Sequence, residues 1–226
     1  LGLFLGRVFL NDIFSIGILP IANVLVYVVV YTNLLRMDGH PVASALLALV
    51  IAEILLVVAC AAIKKLLVGS NWGTEHSAPF WSWRHFSYFF AQDCFFAWCR
   101  LPLAFSAGTT MSNTILRMMG CRIGKRTILN SPLQASDWNA VSVGDDCMVG
   151  GYLQFHTFED MTLKVRRTEI RDGSSINFGA TIMGGAAIDA GTTLQPLSMV
   201  LKAMHLPAGT YRGSPVETAT AARASS

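Results

Sequence analysis

Charge is scarce in this chain. Of its 226 residues 14% are charged and the formal net charge is only +3, which excludes the basic stripe that a nucleic-acid-binding surface needs. Paired cysteines are missing too. Cys60, Cys94, Cys99, Cys121 and Cys147 are odd in number and contain no C-x-x-C spacing, which argues against a disulfide framework and suits a reducing compartment. No set of His, Cys and acidic residues has metal-ligand spacing, so no metal is expected. There is no Met at the start. Leu1 opens in mid-pattern, as expected of a piece of a longer polypeptide.

What the chain has in excess is apolar: 53% of residues are hydrophobic and the mean hydropathy is +0.48. The excess lies in the first third. Ile13 to Leu35 carries no charge, a run about long enough to cross ~30 Å of hydrocarbon. Pro20 interrupts it, which a membrane helix tolerates. Arg36, Asp38, Gly39, His40 and Pro41 make a polar turn, and Val42 to Ile63 is a second run closed by Lys64 and Lys65. Residues 1–68 are therefore expected to form a transmembrane helical hairpin. A signal peptide fits poorly, because the first run is too long and a second comes at once; a buried helix pair is the plainer alternative. Arg7 precedes the first span, Lys64, Lys65 and Arg84 come after the second, and the connecting turn has only Arg36 among strong bases. This distribution puts both ends of the hairpin, and the rest of the chain, on the cytoplasmic side of an integral membrane protein. Glu53, near the middle of the second span, is either a functional group or a neutral Glu packed against another helix.

Residues 69–115 are rich in aromatics, among them Trp72, Trp81, Trp83, Phe89, Phe95 and Trp98. Such rings favour the membrane–water boundary, so an interfacial amphipathic helix opening at Trp81-Ser82-Trp83-Arg84 is expected, with Pro102 ending a segment. His76 and His85 are expected at that interface. Thr114 to Met119 is expected to be a short helix leading into Ile123-Gly124.

The organising pattern comes late. Ile170, Ile176, Ile182, Ile188, Leu194 and Val200 stand six apart, with Gly173, Gly179, Gly185 and Gly191 in step. Six residues match neither the strand period of 2 nor the helix period of 3.6. Hexapeptide periodicity is the signature of a parallel β-helix, in which each repeat is one flat side of a prism and its aliphatic residue points inward. Ile123-Gly124-Lys125-Arg126-Thr127-Ile128 is a first side and Val143 to Val149 another, with Phe155 continuing the spacing from Val149. From His156 to Thr168 the repeats stop. This excursion holds the densest group of acid–base side chains: His156, Glu159 and Asp160. The prism is expected over residues 116–216 and a disordered tail over 217–226. Asp145 and Asp146 are expected to satisfy turn backbone, Cys147 to fill core, and His205 to be structural.

Hexapeptides of this kind, ending in Leu206-Pro207-Ala208-Gly209 and Gly213-Ser214-Pro215, resemble the left-handed β-helix acyltransferases. More narrowly, the membrane hairpin and aromatic junction are succeeded by Leu116-Arg117-Met118-Met119-Gly120-Cys121-Arg122-Ile123-Gly124, then Val143 to Cys147, then Gln154 to Asp160. That order is similar to the terminal tandem domains of nonribosomal peptide synthetases of the ε-poly-lysine synthetase type. The resemblance spans Ile13 to Val216. It implies an all-β left-handed parallel β-helix preceded by the transmembrane hairpin and interfacial helix. It also implies one unit of a larger synthetase whose adenylation and carrier domains lie elsewhere, since this chain has neither an adenylation motif nor a carrier Ser in a G-x-D-S-L context. The implied partners are those domains, sister β-helix domains in a pseudo-trimer or homotrimer, and the lipid bilayer. The implied donor is an aminoacyl thioester on carrier-borne phosphopantetheine, with no cofactor bound directly.

Joining amino acids from a thioester needs a base for the attacking amine and donors for the oxyanion. His156 is the candidate base, because its ordinary pKa lies nearest neutrality. Glu159 or Asp160 is the candidate to orient it or to bind a cationic amine. Backbone N–H groups at the glycine-rich coil edges are the candidate oxyanion donors. By resemblance, the pantetheine arm lies along coil edges from Asn177 to Gly185, with Asn177, Gly184 and Gly185 as contacts. Glu159 stands where some relatives have a second His, which speaks against a two-His site. Two other readings remain open: an inactive scaffold prism completing a pseudo-threefold with its sisters, and a membrane-bound acetyltransferase using free coenzyme A.

Overall fold

The structure, a computed structural model, describes residues 18–69, 75–132 and 137–218. Arg7, the start of the first apolar run, Trp72 and the tail beyond Thr218 lie outside them, as does the side chain of His76. The chain divides into two compact units.

The first unit is helical. In α1 (Leu19–Asp38) Pro20 falls in the first turn, where its missing N–H costs no helical bond. Gly39 ends α1 at φ 71°, and its N–H bonds the Leu35 carbonyl. α2 (Pro41–Leu67) comes directly after. It buries Ser44, Ala48, Ala52, Leu56, Cys60 and Lys64, one stripe at four-residue spacing built largely of small side chains. Leu46, Leu49, Val50, Ile54 and Val58 of α2, and Ile21, Val24, Leu25, Val28 and Val29 of α1, are exposed. Both helices are long and apolar enough to cross a membrane.

In α3 (Trp83–Trp98) Ser82 caps the first turn by accepting the His85 N–H. This helix buries His85, Tyr88, Ala91, Gln92, Phe95 and Trp98 on one side. His85, expected at an interface, is 3% exposed. Pro102, expected to end a segment, instead sits in the first turn of α4 (Arg100–Phe105).

The second unit is the prism. α5 (Thr110–Met119), which contains the expected Thr114 to Met119, leads into it and closes on Gly120 at φ 105°. Three sheets of parallel strands make its sides. One holds β2 (Arg122–Ile123), β4 (Val141–Val143), β9 (Thr168–Ile170), β12 (Ala187–Ile188) and β15 (His205–Leu206). The second holds β3 (Ile128–Leu129), β5 (Met148–Val149), β10 (Ser175–Ile176), β13 (Thr193–Leu194) and β16 (Thr210–Arg212). The third holds β6 (Tyr152–Gln154), β11 (Thr181–Met183) and β14 (Met199–Val200). The last strand, β17 (Glu217–Thr218), pairs antiparallel with β16, so these two residues are ordered rather than part of the expected tail.

Register confirms the six-residue period. Ile170 pairs with Ile188 and Ile188 with Leu206, Ile176 with Leu194, and Ile182 with Val200, each step being eighteen residues or three sides. All six repeat residues from Ile170 to Val200 are at most 3% exposed. Burial of each such side chain is worth about 1.5–3 kcal/mol. One expected position shifts. The inward residue of the third side is Leu153, paired with Ile182, not Phe155. The chain turns early at Gly150-Gly151, and Phe155, though 1% exposed, lies beyond the strand.

The corners set the second rule. Gly173, Gly179, Gly185 and Gly191 have φ between 66° and 86°, and the same six-residue step continues through Leu197 at 59° and Ala203 at 54°. The corner therefore demands left-handed backbone, which glycine adopts freely and other residues adopt at a cost of about 1–2 kcal/mol. Inside another corner Thr127, Cys147, Ser174 and Thr192 are all buried, each donating to a carbonyl one coil on: Gly144, Arg171, Asp189 and Pro207 respectively. Cys147 is one rung of this ladder. Asp145 accepts the Lys125 N–H at 2.7 Å and Asp146 pairs with Arg126.

Two alanine substitutions separate conformation from close approach. At Gly191 a Cβ meets nothing within 4 Å, whereas at Gly184 it falls 2.5 Å from the Phe155 carbonyl oxygen. Gly191→Ala is expected to cost about 1 kcal/mol and Gly184→Ala about 3 kcal/mol. Denaturant midpoints of the solubilised chain measure both, and equal losses would contradict this account.

Candidate active site

The excursion after β6 is a β-hairpin, β7 (His156–Glu159) and β8 (Thr162–Arg166), turning at Asp160-Met161 with both residues at positive φ. β1 (Glu75–Pro79) adds to its far edge, antiparallel to β8. The aromatic stretch thus supplies a strand to the prism unit as well as a helix.

Strand alternation decides which side chains meet. His156 and Phe158 share one face, their rings 5.9 Å apart and edge-on, and Phe158 meets Phe80 in the same way at 6.0 Å. Thr157 and Glu159 lie on the other face. There Glu159 is held by Lys164 at 3.0 Å, by Lys202 from the last coil, and by the Thr157 hydroxyl. Asp160 is exposed in the turn. Neither of these acids, expected to orient the imidazole, is its bonded partner.

Asp137 fills that role. It begins the short 3₁₀ turn Trp138–Ala140 that feeds β4, and Trp138 anchors this turn with 0% exposure. The Asp137 side chain is 1% exposed, and His156 Nδ1 stands 2.8 and 3.0 Å from its two oxygens. A carboxylate so buried requires a partner. Burial pushes the His156 pKa down, but the hydrogen bond and the charge of Asp137 outweigh it and hold the pKa above the ordinary histidine value. With Nδ1–H donating to Asp137, the neutral ring carries its lone pair on Nε2, and any imidazolium formed is stabilised by the carboxylate. A quarter of the His156 side chain, 26%, remains exposed. The pair is chemically a base and its orienting acid.

A second imidazole–carboxylate pair differs in kind. His205 Nε2 is 3.1 Å from Asp189, but Arg171 holds the other oxygen at 2.7 Å and His205 is 59% exposed. It is a surface ion cluster on one side of the prism.

The coil-edge positions also have internal work. Asn177 gives its side-chain amide to the Leu194 carbonyl at 2.7 Å, and the Gly185 N–H goes to Thr168 Oγ1 at 3.1 Å. Gly184 lies against Phe155, the residue before His156, whereas Asn177 belongs to the preceding corner of that coil. Among the described residues no group of His, Cys, Asp or Glu has metal-binding geometry.

Asp137 escaped notice because it lies between repeats, but register holds a signal. Ile123 pairs with Val143 and Leu129 with Val149, twenty residues on instead of eighteen, and Val143 pairs with Ile170 twenty-seven on. The regular coil is interrupted twice. The first interruption supplies Asp137 and the second His156.

The chain is thus a parallel β-helix with a histidine–aspartate pair on its interruptions, preceded by two long apolar helices. No family model matches it. Among curated proteins it is similar to delta-poly-L-ornithine synthetase of Acinetobacter baumannii (strain AB307-0294), 26% identical over 209 residues. The match takes in 84% of this chain but 15% of that protein's length. Among solved structures, a serine acetyltransferase complexed with CoA aligns at 16% identity and TM-score 0.33, over 79% of this chain and 78% of that one. A truncated serine acetyltransferase apoenzyme aligns at 18% and 0.29, over 72% and 70%. Scores so low carry no weight.

Removing the carboxylate tests the electrostatics. In Asp137→Asn burial acts unopposed, so the His156 pKa is expected to fall below that of the wild type, read from the imidazole NMR titration. The raised wild-type pKa means the pair's stabilisation is full below the unfolded value of about 6.5 and is lost as pH climbs through the folded value. Asp137→Asn should therefore destabilise more at pH 6 than at pH 9. The same loss at both would refute the charged pair.

Proposed function

We propose that this chain is a membrane-anchored aminoacyltransferase unit of a larger synthetase, with His156 as its general base. The observation that carries the reading is the buried Asp137 carboxylate fixed on Nδ1 of a partly exposed His156. Similarity to part of a poly-ornithine synthetase supports it. The donor is an aminoacyl thioester on a carrier domain's phosphopantetheine, reaching the site along the coil edge near Gly184 and Gly185. The acceptor amine attacks the thioester carbonyl. Its proton passes to His156 Nε2, the C–N bond forms, the C–S bond breaks, and the imidazolium returns the proton to the leaving sulfur. Asp137 holds the ring in the reactive tautomer and balances its transient charge.

Lys164 and Lys202 occupy Glu159, so a cationic amine has little to gain there, and Glu159 instead ties the hairpin to the last coil. In this reading α1 and α2 span the bilayer, their exposed aliphatic faces lying in lipid, and Lys64, Lys65 and Arg84 keep the prism on the cytoplasmic side. Outward side chains such as Phe178 and Leu197, 81% and 74% exposed, suit packing against sister prisms.

His156→Ala in the full synthetase is expected to lower turnover by about 10²–10⁴-fold. The wild-type rate should rise with pH as the imidazole loses its proton, and in Asp137→Asn this rise should move to lower pH. Unchanged product formation by His156→Ala would discard the base and leave a scaffold. Saturable binding of free coenzyme A would favour an acetyltransferase.

A further inference from the structure

Glu53 has no part in the prism or its site. It is the only charged residue between Val42 and Ile63. It lies twelve residues after the start of α2 and fourteen before its end. At ~1.5 Å per residue that is about 18 and 21 Å, near the centre of a ~30 Å hydrocarbon layer. Long side chains reach water from a helix end, but a glutamate at mid-span does not. The side chain is half-buried and forms no hydrogen bond or ion pair among the described residues. A lone carboxyl in lipid is costly and calls for a partner at its own depth.

The helix shows on which side that partner stands. Ala52, Leu56 and Val57 are buried inside the first unit. The stripe of small side chains, the surface on which membrane helices approach most closely, is therefore already covered. Glu53 sits at its margin. Leu46, Leu49 and Val50, three to seven residues earlier on the same side of α2, are between 52 and 63% exposed. This side carries a single polar point on an aliphatic surface. An unrelated helix meets that point only if it bears a donor at the same depth. A second copy, inserted in the same direction, brings its own Glu53 there by construction.

We infer that this side of α2 is an interface between two copies of the chain within the membrane, joined by hydrogen bonding between their Glu53 carboxyls. A protonated carboxyl both donates and accepts, so the pair satisfies itself without a cation. Leu46 and Val50 pack across the same contact. The inference rests on the reading that α1 and α2 span the bilayer, and it is independent of the role of His156.

The full chain is reconstituted in liposomes and its thiols are oxidised with copper phenanthroline. The five native cysteines are buried, which leaves an introduced one to report. Val50→Cys, one turn from Glu53, should link two copies, and Leu55→Cys, exposed on the opposite side of α2, should not. Adding Glu53→Leu to Val50→Cys should slow linking about fivefold or more, whereas Glu53→Gln, which still donates and accepts, should retain it. Labelling of Val50→Cys by a membrane-impermeant maleimide overturns the spanning reading and this inference with it. With Val50→Cys shielded, three results overturn the inference alone: no linking, equal linking by Leu55→Cys, or unchanged linking in Glu53→Leu.

Discussion

The prism is held by one column of aliphatic side chains per side, each stacked on its counterpart a coil away. Its interior is only as wide as three such side chains meeting, so every side must deliver one aliphatic residue at the same depth. Ile176, Ile182, Ile188, Leu194 and Val200, all at 0% exposure, meet that condition in succession. The corners are a consequence. To bring the next residue inward after so short a strand the backbone must turn through left-handed space. Leu197 and Ala203 accept that conformation where glycine is absent. Strands of two or three residues suffice because parallel neighbours above and below bond them.

A scaffold so repetitive offers little chemistry of its own, since its outward positions are alike and its polar groups bond one another. The buried carboxylate and its imidazole stand where the repeat fails. Two surplus residues in the first coil and nine in the next leave the columns in register yet build the Asp137 turn and the His156 hairpin. Rigidity and irregularity are thus divided between different parts of the same coil, as in other folds that hang functional loops on a fixed frame. The buried carboxylate depends on that frame. Trp138 and the start of β4 hold Asp137 where water does not reach it, so its charge acts on His156 with little screening.

The period of six makes the prism legible in the sequence, because inward side chains cannot be moved without collapsing the column. The two apolar helices are legible for a similar reason, length without charge. Less visible are features that arise from pairing at a distance. Glu75–Pro79 has a weak strand composition and ends in proline, yet it forms a strand because the edge of β8 is there to receive it. Leu153 replaces Phe155 in the column because Gly150-Gly151 shortens one side, a change that spacing alone does not reveal. Glu159 looks like a partner for His156 as long as the segment is taken for a loop. Once it is a strand, the two point to opposite faces.

The clasp on Glu159 joins two segments far apart in the chain, the hairpin through Lys164 and the closing coil through Lys202. It lies at the surface, each member about one-third exposed, within reach of dissolved ions whose screening length is about 8 Å at physiological strength. The hairpin bearing the imidazole is therefore fastened on one face by apolar packing, indifferent to salt, and on the other by a latch that electrolyte loosens.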